Sequence, residues 1–77
     1  MLALITGASS GIGRDMARIL SERGYDLILV ARRKTRLSQL KKELKTNVEI
    51  INLDISSVYN CTELYDQVKD KDIDIVI

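Results

Sequence analysis

Three glycines within seven residues, Gly7, Gly11 and Gly13, sit directly behind a short apolar run (Leu2, Ala3, Leu4, Ile5) and at the head of a helical pattern that starts at Ile12. A buried strand has to end before Gly7, and the glycines supply a backbone that takes positive φ and comes close to a ligand. The following helix aims its unpaired N–H groups and the positive end of its dipole back at this turn. Thr6 to Gly13 therefore reads as a strand–turn–helix junction that binds an anion, with phosphate the natural occupant.

The rest of the chain repeats the same alternation. Ile12, Met16, Ile19 and Leu20 recur at helical spacing up to Arg23, opposite Arg14, Asp15, Arg18, Glu22 and Arg23, and Gly24 stops the helix. Leu27 to Ala31 reads as a second buried strand. Leu37, Leu40 and Leu44 mark a second amphipathic helix that closes at Asn47. Val48 to Leu53 is a third strand, and Ser56 or Ser57 caps a third helix with Cys61, Leu64, Tyr65 and Val68 on its apolar side. Ile73 to Ile77 is a fourth strand. The order β-α-β-α-β-α-β with short connections predicts an α/β fold, an open parallel sheet of Rossmann type with strand order 3-2-1-4 and helices on both faces.

Seventy-seven residues suit one small domain that buries about 60% of its unfolded surface. With 45% apolar residues and a net charge of +1, nothing pulls the whole chain towards nucleic acid or an anionic membrane. A lone cysteine, Cys61, and no histidine leave no internal disulfide and no Cys/His metal site. No apolar run approaches the roughly 20 residues of a spanning helix. A cytoplasmic protein is expected, with neither membrane nor nucleic acid as partner.

Two other chemistries share the Gly7–Gly13 pattern. Gly7-Ala8-Ser9-Ser10-Gly11 matches the G-x-S-x-G elbow of hydrolases, but such a serine needs a histidine base and these residues contain none. A P-loop needs G-K-[ST] at the helix start, where Gly11, Ile12, Gly13 and Arg14 stand. A dinucleotide phosphate site remains.

About 20 residues past the glycines, where NAD sites place a carboxylate for the ribose hydroxyls, stands Ala31, followed by Arg32 and Arg33. A 2′-phosphate would meet positive charge there, so NADP(H) is favoured over NAD(H). The basic run from Lys41 to Lys45 reads instead as a solvated helix face. Asp54, at the end of the third strand, either accepts a hydrogen bond from an adenine amino group or caps the next helix.

The spacing T-G-x-x-x-G-x-G at Thr6–Gly13, the Ala-Arg-Arg at 31–33 and the Leu-Asp-Ile-Ser at 53–56 together resemble the short-chain dehydrogenase/reductase family over nearly the whole chain. The resemblance implies that Gly7, Ser9, Ser10, Gly11, Ile12 and Gly13 carry the phosphates, that Arg32 with Arg33 meets the 2′-phosphate, and that Asp54 and Ile55 lie at the adenine. Ser10 departs from members that carry a second basic residue there. The family's catalytic Asn, Ser and Tyr-x-x-x-Lys lie in segments that these residues do not include. Tyr65 and Lys69 formally fit the last pattern, but Tyr65, on the apolar side of the third helix, is expected to be core, and no catalytic residue is assigned.

The resemblance thus implies the N-terminal cofactor-binding half of a larger domain, in an oxidoreductase moving a hydride between nicotinamide and a small carbonyl or alcohol substrate. Residues 1–77 alone should not turn over. A homo-oligomer is expected. The alternative is a non-catalytic nucleotide-binding or self-associating module that pairs through the free edge of its fourth strand. Nucleic-acid binding through Arg32 to Lys45 is weaker, since no aromatic residue interleaves that cluster.

Overall fold

The computed structural model describes residues 1–8, 11–54 and 56–77. Its elements are β1 (Leu2–Thr6), α1 (Gly11–Glu22), β2 (Asp26–Ala31), α2 (Lys34–Glu43), β3 (Val48–Asn52), α3 (Val58–Val68) and β4 (Ile75–Val76). The four strands form one parallel sheet in the order β3-β2-β1-β4, the order expected from the sequence.

β1 and β2 are the central strands. The interiors of both are buried without alternation, because helices lie over both faces and neither parity of side chain meets water. Ala3, Ile5, Leu27, Leu29 and Ala31 point to the face covered by α1 and α2, where they meet Ala17, Leu20, Leu37 and Leu40. Leu4, Ile28, Val30 and Ile51 point to the other face, which α3 covers through Val68 and the half-buried Leu64. β3, at the edge of the sheet, buries Val48 on one face and Ile51 on the other, with Ile50 half-buried and Glu49 and Asn52 exposed.

β4 is shorter than the Ile73–Ile77 expected, because only Ile75 and Val76 pair regularly with Ala3 and Leu4. Its hydrogen bonding nevertheless extends on both sides. The Asp74 amide donates to the Leu2 carbonyl, and the Ile77 carbonyl accepts from the Thr6 amide and, at 2.9 Å, from the Thr6 hydroxyl. α2 ends at Glu43, short of Asn47, with Leu44 already extended. Gly24 does close α1: its amide donates to the Ser21 carbonyl and the Tyr25 amide to Leu20.

Two helix faces differ from expectation. On α1 the buried residues are Ala17, Leu20 and Ser21, whereas Ile12 (80% exposed) and Ile19 point to solvent. The small Ala17 lets the helix lie close on the sheet, which turns the isoleucine stripe to one side. Ser21 is buried at no polar cost, because its Oγ accepts from the Lys45 amide and shares a hydrogen bond with the Thr46 hydroxyl. On α3 only Val68 is buried, and Tyr65 (64% exposed) and Cys61 face outward, so Tyr65 is not a core residue.

Candidate functional site

The three glycines of the first turn have different jobs. Gly7 (φ +63°) and Gly11 (φ +40°) hold left-handed backbone that a side chain would strain, and a Cβ on either would project into open space. Gly13 is needed for closeness: a Cβ there would stand 2.5 Å from the Gly7 carbonyl oxygen. The first turn of α1 therefore packs backbone to backbone against the end of β1, and the space beside Gly7 and Gly11 stays clear above the helix N-terminus. That is the shape a pyrophosphate requires. The Ala8 amide donates to the Val30 carbonyl and ties the turn to β2. Ser9 and Ser10 lie outside the described residues, and Ile12 is exposed on the first turn of α1.

Arg32 and Arg33 follow the buried Ala31 at the carboxyl end of β2, and both are exposed. Arg33 occupies the N-cap position of α2 in extended conformation without a side-chain cap, which leaves its guanidinium uncommitted to the helix. One Arg32 nitrogen lies 4.0 Å from an Asp54 carboxylate oxygen, so the ends of β2 and β3 bring Arg32 and Asp54 together.

Asp54 does not cap α3, whose N-cap is Ser57 without a side-chain bond. One carboxylate oxygen accepts from the Ser56 hydroxyl at 2.7 Å and from the Ser56 amide at 3.0 Å, closing a local turn. These two bonds, the hydroxyl first, hold the Asp54 carboxyl below its ordinary value; slight burial opposes them and the Arg32 guanidinium adds to them. Asp54 is thus a fixed carboxylate at the sheet's carboxyl edge. Ile55 lies outside the described residues.

Two amides that the sequence reading passed over position these groups. The Asn52 side chain donates to the Ala31 and Arg32 carbonyls, at 3.0 and 2.7 Å, and pins the backbone from which Arg32 projects. Asn60 on α3 donates to the Asp54 carbonyl at 2.8 Å. Asn52 had one visible signal: it is a polar residue that follows Ile50 and Ile51 at the close of the strand run, immediately before Leu53-Asp54.

Gly7, Gly11, Gly13, Arg32, Arg33 and Asp54 accordingly all lie at the carboxyl edge of the sheet. β1 and β2 neighbour each other there, and the chain leaves β1 for α1 and β3 for α3 on opposite faces. Ligands of open α/β sheets bind in such a crevice. Among the described residues no cluster of His, Cys, Asp and Glu could hold a metal, and no helix is long and apolar enough to cross a membrane.

Comparison with known proteins adds four findings. A model of the short chain dehydrogenase family matches residues 1–77. A very-long-chain 3-oxoacyl-CoA reductase of Kluyveromyces lactis is 46% identical over 59 residues, covering 71% of this chain and 17% of that protein. An uncharacterized oxidoreductase of Staphylococcus epidermidis is 36% identical over 78 residues, covering 99% of this chain and 34% of that protein. Among solved structures, a short-chain dehydrogenase from Sphingobium yanoikuyae in complex with NADPH superposes with a TM-score of 0.84 at 38% identity, over 97% of this chain and 32% of that one. The chain spans between 17% and 34% of the length of these relatives.

Proposed function

The chain belongs to the short-chain dehydrogenase family, and from that premise we propose that residues 1–77 are the NADP(H)-binding half of an oxidoreductase domain. The observation that carries this reading is the backbone-to-backbone packing of Gly13 on Gly7, which opens an anion cradle at the start of α1, with Arg32 and Arg33 at the neighbouring strand end. Gly7 to Gly13 would hold the pyrophosphate, with Ser9, Ser10 and Ile12 in the same turn. Arg32 and Arg33 would receive the 2′-phosphate, and Asp54 with Ile55 would lie at the adenine. The similarity to a dehydrogenase solved with NADPH supports the choice of cofactor.

The bound dinucleotide supplies the hydride that passes to or from a small carbonyl or alcohol carbon. These residues bind and orient the cofactor, and none of them is placed as the acid or base at the substrate. No turnover is therefore expected from residues 1–77 alone.

Titration of the full-length protein with NADPH and NADH, for the wild type and for Arg32→Ala, tests the reading. NADPH should bind more tightly, and the substitution should remove most of that preference at a cost on the order of tenfold in NADPH affinity. Equal wild-type affinity for the two cofactors would sink the NADP(H) assignment.

A further inference from the structure

The turn between β2 and α2 carries Arg32 and Arg33, and α2 does little to hold it. Arg33 stands at the N-cap position without a side-chain cap, and the Arg32 side chain, 68% exposed, meets an Asp54 oxygen only at 4.0 Å. The restraint comes from the neighbouring strand. Asn52 ends β3 directly opposite Ala31, and its Nδ2 donates to the Ala31 carbonyl at 3.0 Å and to the Arg32 carbonyl at 2.7 Å. Both hydrogens of one amide nitrogen are thus spent on two successive carbonyls, which an apolar or acceptor-only side chain could not satisfy. Among the described residues no other side chain bonds to the backbone of residues 31–33.

These two carbonyls flank the Arg32 Cα, so the bonds fix the point from which the guanidinium reaches out. An exposed arginine on a loose backbone must order backbone and side chain together when it meets an anion, and that cost is subtracted from affinity. With the backbone already held, only the side chain remains to be ordered. We infer that Asn52 is a positioning residue for cofactor discrimination, acting on the ligand's phosphomonoester through Arg32 and touching no ligand itself. This rests on the NADP(H) reading and adds to it a residue on β3, before the Leu53–Ser56 segment. Two consequences separate it from a merely structural role. Asn52 governs the preference for NADPH, not dinucleotide affinity in general, and its effect disappears when Arg32 is absent.

The test titrates the full-length protein with NADPH and NADH as wild type, Asn52→Leu, Asn52→Ala, Arg32→Ala and the double variant of Asn52→Leu with Arg32→Ala. Asn52→Leu should weaken NADPH by about three- to tenfold and change NADH by less than about twofold. Asn52→Ala should do the same, which separates the lost donors from the added bulk and keeps the test open if the leucine variant does not fold. In the double variant the preference should stand where Arg32→Ala alone puts it, because one residue acts through the other. A parallel loss of both cofactors in the Asn52 variants overturns the inference, as do additive losses of preference in the double variant. If Arg32→Ala removes the preference and the Asn52 variants keep it, this inference fails and the NADP(H) reading stands. If wild type shows no preference, that reading fails and this inference with it.

Discussion

The two faces of the sheet are built to different standards. On the α1–α2 side, Ala3, Ile5, Leu27, Leu29, Leu37 and Leu40 belong to one continuous buried cluster that runs up to Ala8 in the glycine turn. On the α3 side the cluster is smaller, and among the described residues α3 contributes a single buried side chain, Val68. The thick face holds the glycine turn, which the buried cluster reaches through Ala8. The thin face carries Asp54 and its Asn60 tether, where hydrogen bonds local to the chain do the positioning instead of packing. The glycine turn is thus held by core packing, and the Asp54 end by side-chain polar contacts.

That contrast can be broken most severely at Gly13. Gly13→Ala should abolish measurable dinucleotide binding and destabilise the fold by about 1–3 kcal/mol, since the new Cβ meets backbone that has no rotamer to give; thermal unfolding and an NADPH titration on the full-length protein would show it. Next comes a matched pair, one residue from each face. Leu37→Ala, on the thick face, should cost about 2–5 kcal/mol in denaturant unfolding. Val68→Ala, on the thin one, should cost about 1–2 kcal/mol, because two buried methyl groups are lost beside a surface that can relax. Equal losses would mean the faces are equally well packed. Tyr65→Ser should change stability by less than about 0.5 kcal/mol, and a loss the size of Leu37's would restore the tyrosine to the core.

The smallest effect is electrostatic. The Asp54 carboxyl titrates below its ordinary value of 3.8, so its contribution to stability is present above that pH and fades as pH falls through the lowered value. Unfolding of wild type and Asp54→Asn followed from neutral to strongly acidic pH should converge only at the acid end. A gap that widens on acidification would mean that the carboxyl is raised instead.

Much of this was legible in the chain itself. The unbroken apolar runs at Leu2–Ile5 and Leu27–Ala31 announce central parallel strands, and the spacing of Gly7, Gly11 and Gly13 marks the turn, because such backbone demands admit few other residues. The helix faces were less legible. Hydrophobic periodicity selects Ile12, Met16, Ile19 and Leu20, of which the sheet buries Leu20 and adds Ala17, since a small residue allows a closer approach than an isoleucine. Tyr65 failed for the same reason: periodicity ranks residues by polarity, whereas the packed side of α3 is decided by where Leu64 and Val68 meet Leu4 and Ile51. Asn52 and Asn60 were not legible as positioning groups, because their partners are carbonyls up to 21 residues away, and only the folded register brings them together.

The most direct test is a crystal structure of the full-length protein with NADPH. The pyrophosphate should lie against the backbone of Gly7 to Gly13 at the start of α1, with the 2′-phosphate beside Arg32. A dinucleotide bound elsewhere, with that turn unoccupied at saturating NADPH, would contradict the account.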